Sequence, residues 1–362
     1  MGAGTGADHP RLALDAVTRR FAGELAVEEL SLEIAAGEVV CLLGPSGCGK
    51  TTTLRIAAGV ERQDSGAVRV AGRVMSEGAR HAPPEQRAVG LIFQDLALFP
   101  HLTALENVAF GLRALAAPAR RARATRELAR VDLGFAADRY PHQLSGGEQQ
   151  RVALARAMAP EPGVLLMDEP FASLDQRLRD AVRDQALRLL KEDGAGVLLV
   201  THDPEEALRM ADRIALMRAG RIVQCATPQE VYRRPVDRQA AAFFTDLNVF
   251  EARVVDGAVS TPFGPIPAPH LTDGVAAEVA VRPHDVAVNA RSPTDPSHLA
   301  TARVSRARFL GARILVEARL EAGGALLQAE HISEDGVAAP RPGDEARLSI
   351  RPENCHVFAA KP

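Results

Sequence analysis

The 362-residue sequence has no run of about 18 uncharged apolar residues, the minimum for a helix that crosses a bilayer. Membrane attachment is therefore expected only through a partner. Residues 1–10 lack the apolar stretch of a secretory leader and read as a disordered lead-in. The cysteines are few: Cys41, Cys48, Cys225 and Cys355 follow no metal-ligand spacing. Cys41 falls in an apolar strand pattern, a poor place for a disulfide, so a reducing, cytosolic compartment is expected. The net charge of −3 gives no global attraction to nucleic acid or an anionic membrane. There is no heptad run, which excludes a long coiled coil. What remains is globular in composition, with 46% hydrophobic and 25% charged residues, and long enough for two or three domains.

The chain is organised around Gly44-Pro45-Ser46-Gly47-Cys48-Gly49-Lys50-Thr51. The apolar run Val39–Leu43 before it reads as a buried strand, and Thr52–Ala58 after it reads as a helix start. Strand, glycine-rich loop and Gly-Lys-Thr form a phosphate-loop pattern. Its glycines let backbone N–H groups converge on phosphate oxygens, and the helix adds its positive end. Lys50 is expected to neutralise the outer phosphates, and Thr51 to offer a hydroxyl to Mg²⁺.

Around this loop the sequence reads as α/β, with an antiparallel part and a helical insertion. Leu12, Leu14 and Val17 lead to Phe21, which either joins the core or stacks on a purine. Leu30, Leu32 and Ile34 alternate, and Val68 and Val70 open a hairpin that turns at Gly72. Val89–Phe93 is a buried strand ending at Gln94, whose amide can hold Mg²⁺ or the attacking water. Residues 95–160 turn helical: Thr103 and Glu106 form a capping box, and residues 113–133 carry a basic run read as a solvated helix face. The apolar stretch Leu96–Leu105 reads as a greasy surface for a partner.

Ser145-Gly146-Gly147-Glu148 is a second capping box with two glycines in the first turn. Either Ser145 only caps its own helix, or the bare helix end receives a phosphate. The strand Val164–Met167 ends in Asp168-Glu169, expected to serve Mg²⁺ and the attacking water. Val197–Val200 ends near His202, just before an Asp203 cap and Pro204. A last hairpin at 214–224 and a helix from Pro228 to about Thr245 close the domain. From Asn248 the pattern is short strands with Gly and Pro turns, a small β-barrel or sandwich. Val279-Ala280-Val281-Arg282-Pro283 echoes Leu348-Ser349-Ile350-Arg351-Pro352, either as two related β-modules or as a shared turn type. His284, His331, His356, Glu330 and Cys355 fit no compact metal motif.

Together these motifs resemble the ATP-binding subunits of ABC transporters over nearly the whole chain. The resemblance implies a phosphate-loop NTPase core with an antiparallel β subdomain and a helical subdomain at about 95–160, spanning 11–245, then a TOBE-like all-β domain at 246–362. It implies that Phe21 stacks on adenine and that Gly44, Pro45, Ser46, Gly47, Cys48, Gly49, Lys50, Thr51 and Thr52 bind the nucleotide. Thr51, Gln94 and Asp168 would hold Mg²⁺, with Glu169 catalytic and His202 a switch residue. Ser145, Gly146, Gly147 and Glu148 would face the ATP of a second copy, with Asp175 in the connecting D-loop. The implied partners are that second copy, membrane permease subunits at the cytoplasmic face of a bacterial inner membrane, and indirectly a periplasmic binding protein. Residues 243–249, 261–265 and 349–354 most resemble ferric-iron importers, while polyamine, molybdate, sulfate and sugar importers share the architecture. A soluble ribosome- or DNA-acting ATPase of this kind is disfavoured by the single phosphate loop, and an exporter by the β extension.

Overall fold

The computed structural model describes residues 9–172, 174, 176–288, 298–332 and 340–360. Apart from His9 and Pro10, the expected lead-in lies outside them, as do Ser173 and Asp175. The chain divides into two compact units, Met1–Arg233 and Arg234–Pro362.

The first unit is built on two sheets. β1 (Leu12–Phe21), β2 (Glu24–Ile34), β4 (Ser65–Val70), β5 (Arg73–Glu77) and β6 (Arg80–His81) form an antiparallel sheet in the order β2-β1-β4-β5-β6. The break between Leu14 and Val17 is a register shift against β2, which lets Val17 remain buried. The second sheet holds β3 (Val39–Leu43), β7 (Val89–Ile92), β8 (Val164–Asp168), β9 (Gly196–Thr201), β10 (Arg213–Arg218) and β11 (Arg221–Ala226). Its order is β11-β10-β3-β9-β8-β7, parallel except for β11. β3, β8 and β9 are buried at every position, as continuous apolar runs in a covered parallel sheet must be. One apolar core joins both sheets, from Leu12 and Val27 to Val40, Leu166 and Leu198.

The helices of this unit are α1 (Lys50–Ala58), α2 (Ala104–Ala109), α3 (Ala117–Arg130), α4 (Gly146–Met158), α5 (Gln176–Asp193), α6 (Pro204–Met210) and α7 (Pro228–Arg233). α1, α4, α6 and α7 pack on the parallel sheet, while α2 and α3 pack on each other and on α4 as a helical insertion. Both expected capping boxes are present, Thr103 with Glu106 and Ser145 with Glu148. Four expectations need correction. The helix expected over 113–133 is shorter, because Pro118 sets the start of α3. Its basic run is not simply solvated: Arg123 and Arg130 both pair with the buried Glu127, and reach Glu161 and Asp193 respectively. The greasy face is narrower than expected: Leu96 and Leu105 are buried, while Leu98, Phe99 and Leu102 between them are half-buried and Pro100 and His101 exposed, with Phe93 and Phe110 exposed outside the stretch. The helix expected from Pro228 to Thr245 is two, α7 and α8 (Arg238–Ala242), with Pro235 between them and Asp237 capping the second.

The second unit is all β beyond α8, as expected. β12 (Asn248–Val255), β13 (Ala258–Thr261), β14 (Gly264–Pro267), β15 (Ala276–Val281), β16 (Ala287–Val288), β17 (Leu299–Phe309), β18 (Arg313–Leu320), β19 (Leu326–Ile332), β20 (Glu345–Ser349) and β21 (His356–Ala359) form two sheets. Their orders are β14-β13-β12-β15-β21 and β16-β20-β17-β18-β19, and one core containing Phe250, Phe263, Val279, Val316 and Leu348 lies across both. The sequence echo has a structural counterpart. β15 and β20 each run through an arginine into a 3₁₀ turn opened by proline, at Pro283 and Pro352. The strands that follow exchange partners, β21 pairing with β15 and β16 with β20. The Asn354 amide donates to Asp285 Oδ1 at 2.7 Å and ties the two turns together.

Candidate functional site

The loop between β3 and α1 is shaped by two glycines that admit no other residue. A Cβ on Gly44 would collide with the Met217 carbonyl, and one on Gly49 with the Ala26 carbonyl. Gly49 also holds a φ of 105° and Gly47 one of 81°, both left-handed. The loop closes on Lys50, whose Nζ donates to the carbonyls of Gly44 at 2.7 Å and Pro45 at 3.0 Å. Cys48 lies beside it, and burial pushes its thiol pKa up. α1 begins with no side-chain cap and no acidic residue in its first turn, unlike α2, α4 and α6. Its first N–H groups are thus available to an anion. Thr52 sits in that first turn, half-buried.

Behind the loop, Thr51 Oγ1 donates to Asp168 Oδ1 at 3.2 Å. Asp168 is only 8% exposed, and burial raises its carboxyl above the usual range against the pull of Thr51, with Glu169 adding to the rise. A hydroxyl and a carboxylate are hard oxygen donors of the kind Mg²⁺ takes, and a cation there would offset the buried charge, so the pair fits that metal.

Glu169 turns out of β8 with a φ of 44°, its N–H bonded to the Val200 carbonyl at 2.9 Å. The turn sends its carboxylate to two neighbours. Oε1 lies 2.9 Å from His202 Nδ1, and Oε2 accepts from Gln94 Nε2 at 3.4 Å. Because β7, β8 and β9 are adjacent and parallel, their three ends deliver these side chains to one edge. A cavity of about 660 Å³ opens here, lined by Thr51, Arg55, Phe93, Gln94, Asp95, Asp168 and Ala172.

The other expected residues are not gathered here. Phe21 is 42% exposed, which removes the core reading, and Arg19 lies over its ring at 4.6 Å. Ser145 and Glu148 bond each other: Glu148 N–H donates to Ser145 Oγ at 3.3 Å, and Ser145 N–H donates to Glu148 Oε2 at 2.7 Å. The neighbouring glycines are not demanded by packing, since a Cβ on Gly146 would stand 3.8 Å from Leu174 and one on Gly147 3.7 Å from Val182. Asp175 lies outside the described residues.

Sequence reasoning missed the wiring under His202. Thr201 Oγ1 donates to Glu206 Oε2 at 2.5 Å and accepts from Asp203 N–H at 3.0 Å. Arg183, from α5, donates to Asp203 Oδ2 at 3.0 Å. The only sequence signal was the Asp203 cap; nothing local marks an arginine twenty residues upstream.

Comparison with known proteins agrees with this geometry. The ABC transporter family matches residues 27–172, and the TOBE domain family matches residues 279–358. A sulfate/thiosulfate import ATP-binding protein of Chromobacterium violaceum is 44% identical over 88% of this chain and 87% of its own. An Fe(3+) ions import ATP-binding protein of Serratia marcescens is 37% identical over 96% of this chain and 99% of its own. Among solved structures, a dimeric ATP-binding cassette in a post-hydrolysis state with ADP and Pi superposes with a TM-score of 0.54 at 34% identity. It covers 60% of this chain and 98% of that one.

Proposed function

Because this chain belongs to the ATP-binding subunits of ABC transporters, we propose that it binds and hydrolyses ATP to energise a bacterial importer from the cytoplasmic face of the inner membrane. The observation that carries the reading is the meeting of Gln94, Glu169 and His202 at one sheet edge. The phosphates enter the loop Gly44–Thr51 and face the open end of α1, and Lys50 turns its ammonium from the loop carbonyls toward them. Thr51, Asp168 and Gln94 would hold Mg²⁺, which when bound supplies positive charge against the phosphate oxygens. Glu169 orients the attacking water and accepts its proton, and His202 fixes the carboxylate and contacts the terminal phosphate. Phe21 stacks on the base.

A second copy of the chain completes each site with Ser145, Gly146, Gly147 and Glu148. Two glycines that packing within this chain does not require support a reason outside it, and the solved cassette it resembles is dimeric. Permease subunits dock on the exposed face of Phe93 and Phe110, and a periplasmic binding protein delivers the solute to them. For the solute, sulfate or thiosulfate is favoured over ferric iron, because the sulfate/thiosulfate relative is 44% identical and ferric-import relatives are 37% and 41% identical. Residues 243–249, 261–265 and 349–354 keep ferric iron as the rival.

The test is Glu169→Gln. It is expected to bind ATP, hydrolyse it on the order of a hundredfold more slowly, and accumulate as an ATP-bound dimer on size exclusion. Rapid hydrolysis by a variant that stays monomeric overturns the assignment. Radiolabelled sulfate and ferric uptake in a strain lacking the chain separates the two solutes.

A further inference from the structure

Resting on the ATPase reading above, we infer that Arg183 is a positioning residue that sets how Glu169 and His202 meet. It projects from the middle of α5, outside the proposed nucleotide contacts, and is 3% exposed. Its guanidinium touches both shoulders of the pair. On one side it lies 5.9 Å from the ring centroid of Phe171, two residues after Glu169 and fully buried. On the other it donates to Asp203, the residue after His202, at 3.0 Å.

Asp203 is itself bound into the turn. Its Oδ1 accepts from Glu205 N–H at 2.9 Å and Glu206 N–H at 3.4 Å, capping α6, and its own N–H donates to Thr201 Oγ1. Thr201 in turn donates to Glu206, which approaches Arg183 at 3.7 Å. The residues before and after His202 are thus held in one polar network, and Arg183 joins that network to the segment leaving Glu169. The imidazole itself stays outside it, with its side chain 56% exposed and bonded to Glu169. A shift of Arg183 moves the backbone on which each partner stands, and so changes their separation without touching either.

Stability alone is a poor reason for this arrangement. Burying an arginine is costly, and its Nε finds no acceptor. Arg179 makes a useful comparison: it approaches the same Asp203 carboxylate at 3.7 Å but is otherwise bonded back to the Leu174 carbonyl.

The test uses the full chain with MgATP, and reads kcat and KM separately, together with binding of a fluorescent ATP analogue. Arg183→Met is expected to lower kcat about tenfold with KM and analogue affinity within about twofold, since the nucleotide cradle is untouched. Arg183→Lys keeps the charge but not the two-sided fork, and is expected to recover part of the lost kcat while staying below wild type. Arg179→Met is expected to stay within about threefold of wild-type kcat. Wild-type turnover in Arg183→Met, or a rise in KM that accounts for the whole loss, overturns the inference. Should that variant fail to fold, wild-type kcat in Arg183→Lys overturns it instead. If wild-type protein itself does not hydrolyse ATP, the function reading falls, and this inference with it.

Discussion

The carboxylate of Glu169 and the imidazole of His202 stand 2.9 Å apart although they leave different strands. The contact depends on the left-handed backbone at Glu169, a conformation that costs a non-glycine residue on the order of 1–3 kcal/mol. That strain aims a side chain which an ordinary strand exit would send elsewhere. His202→Ala leaves Glu169 with only the longer Gln94 contact. Steady-state hydrolysis is expected to lose about 10–100-fold in kcat with little change in KM. Unchanged turnover would show that the imidazole does not orient the carboxylate.

Two glycine positions in the same chain should respond to alanine in opposite ways. At Gly49 an added Cβ strikes the Ala26 carbonyl and must hold a φ of 105°, so Gly49→Ala is expected to lower both Tm and ATP affinity. At Gly146 the same Cβ finds ordinary contact distance, and alanine is the better helix former by about 1 kcal/mol. Gly146→Ala is therefore expected to keep or raise Tm. If the second copy's phosphate must approach this helix end, the variant also loses ATP-dependent dimerisation and hydrolysis. Calorimetry and size exclusion together check both arms; normal dimerisation by Gly146→Ala would refute the shared site.

Much of this was readable in the sequence because the strands carrying the site residues are short, wholly apolar and end in polar side chains. The Leu43–Gly44, Met167–Asp168 and Val200–His202 boundaries are changes of residue type, and the parallel sheet turns those boundaries into one edge. What could not be read depended on partners distant in sequence. Arg183 and Asp203 are twenty residues apart, and Glu161 lies in a loop 38 residues beyond Arg123, so a basic helix looked merely solvated. Pro235 within a helical pattern was a local signal that the expected single helix overrode. The capping boxes, by contrast, were local and complete in four residues.

The pairing of Thr51 with Asp168 predicts how hydrolysis depends on Mg²⁺. Chelation with EDTA is expected to abolish turnover and to restore it on adding Mg²⁺ back. Thr51→Val removes the hydroxyl that favours the charged form of Asp168, so burial raises that carboxyl further. The concentration of Mg²⁺ needed for half-maximal hydrolysis should rise by about tenfold or more, with Tm little changed. A Mg²⁺ titration identical to wild type would place the metal elsewhere.

The second unit carries its own pH dependence. Arg282 Nη1 lies 2.8 Å from His356 Nε2, so that nitrogen must stay unprotonated to accept the bond. Burial, with the arginine charge added, moves His356 from 6.5 to about 4. Between those values the unfolded chain binds the proton and the folded chain does not, so stability present at neutral pH is lost as the pH falls from 6.5 toward 4. His356→Gln keeps a side-chain acceptor for Arg282 and cannot titrate. Differential scanning calorimetry of the full chain at a series of pH values should show the wild-type transition of this unit falling more steeply than that of the variant. The substitution leaves every other titrating group in place, so the difference between the two curves isolates the histidine. Parallel curves would mean that His356 takes its proton in the folded state as easily as in the unfolded one.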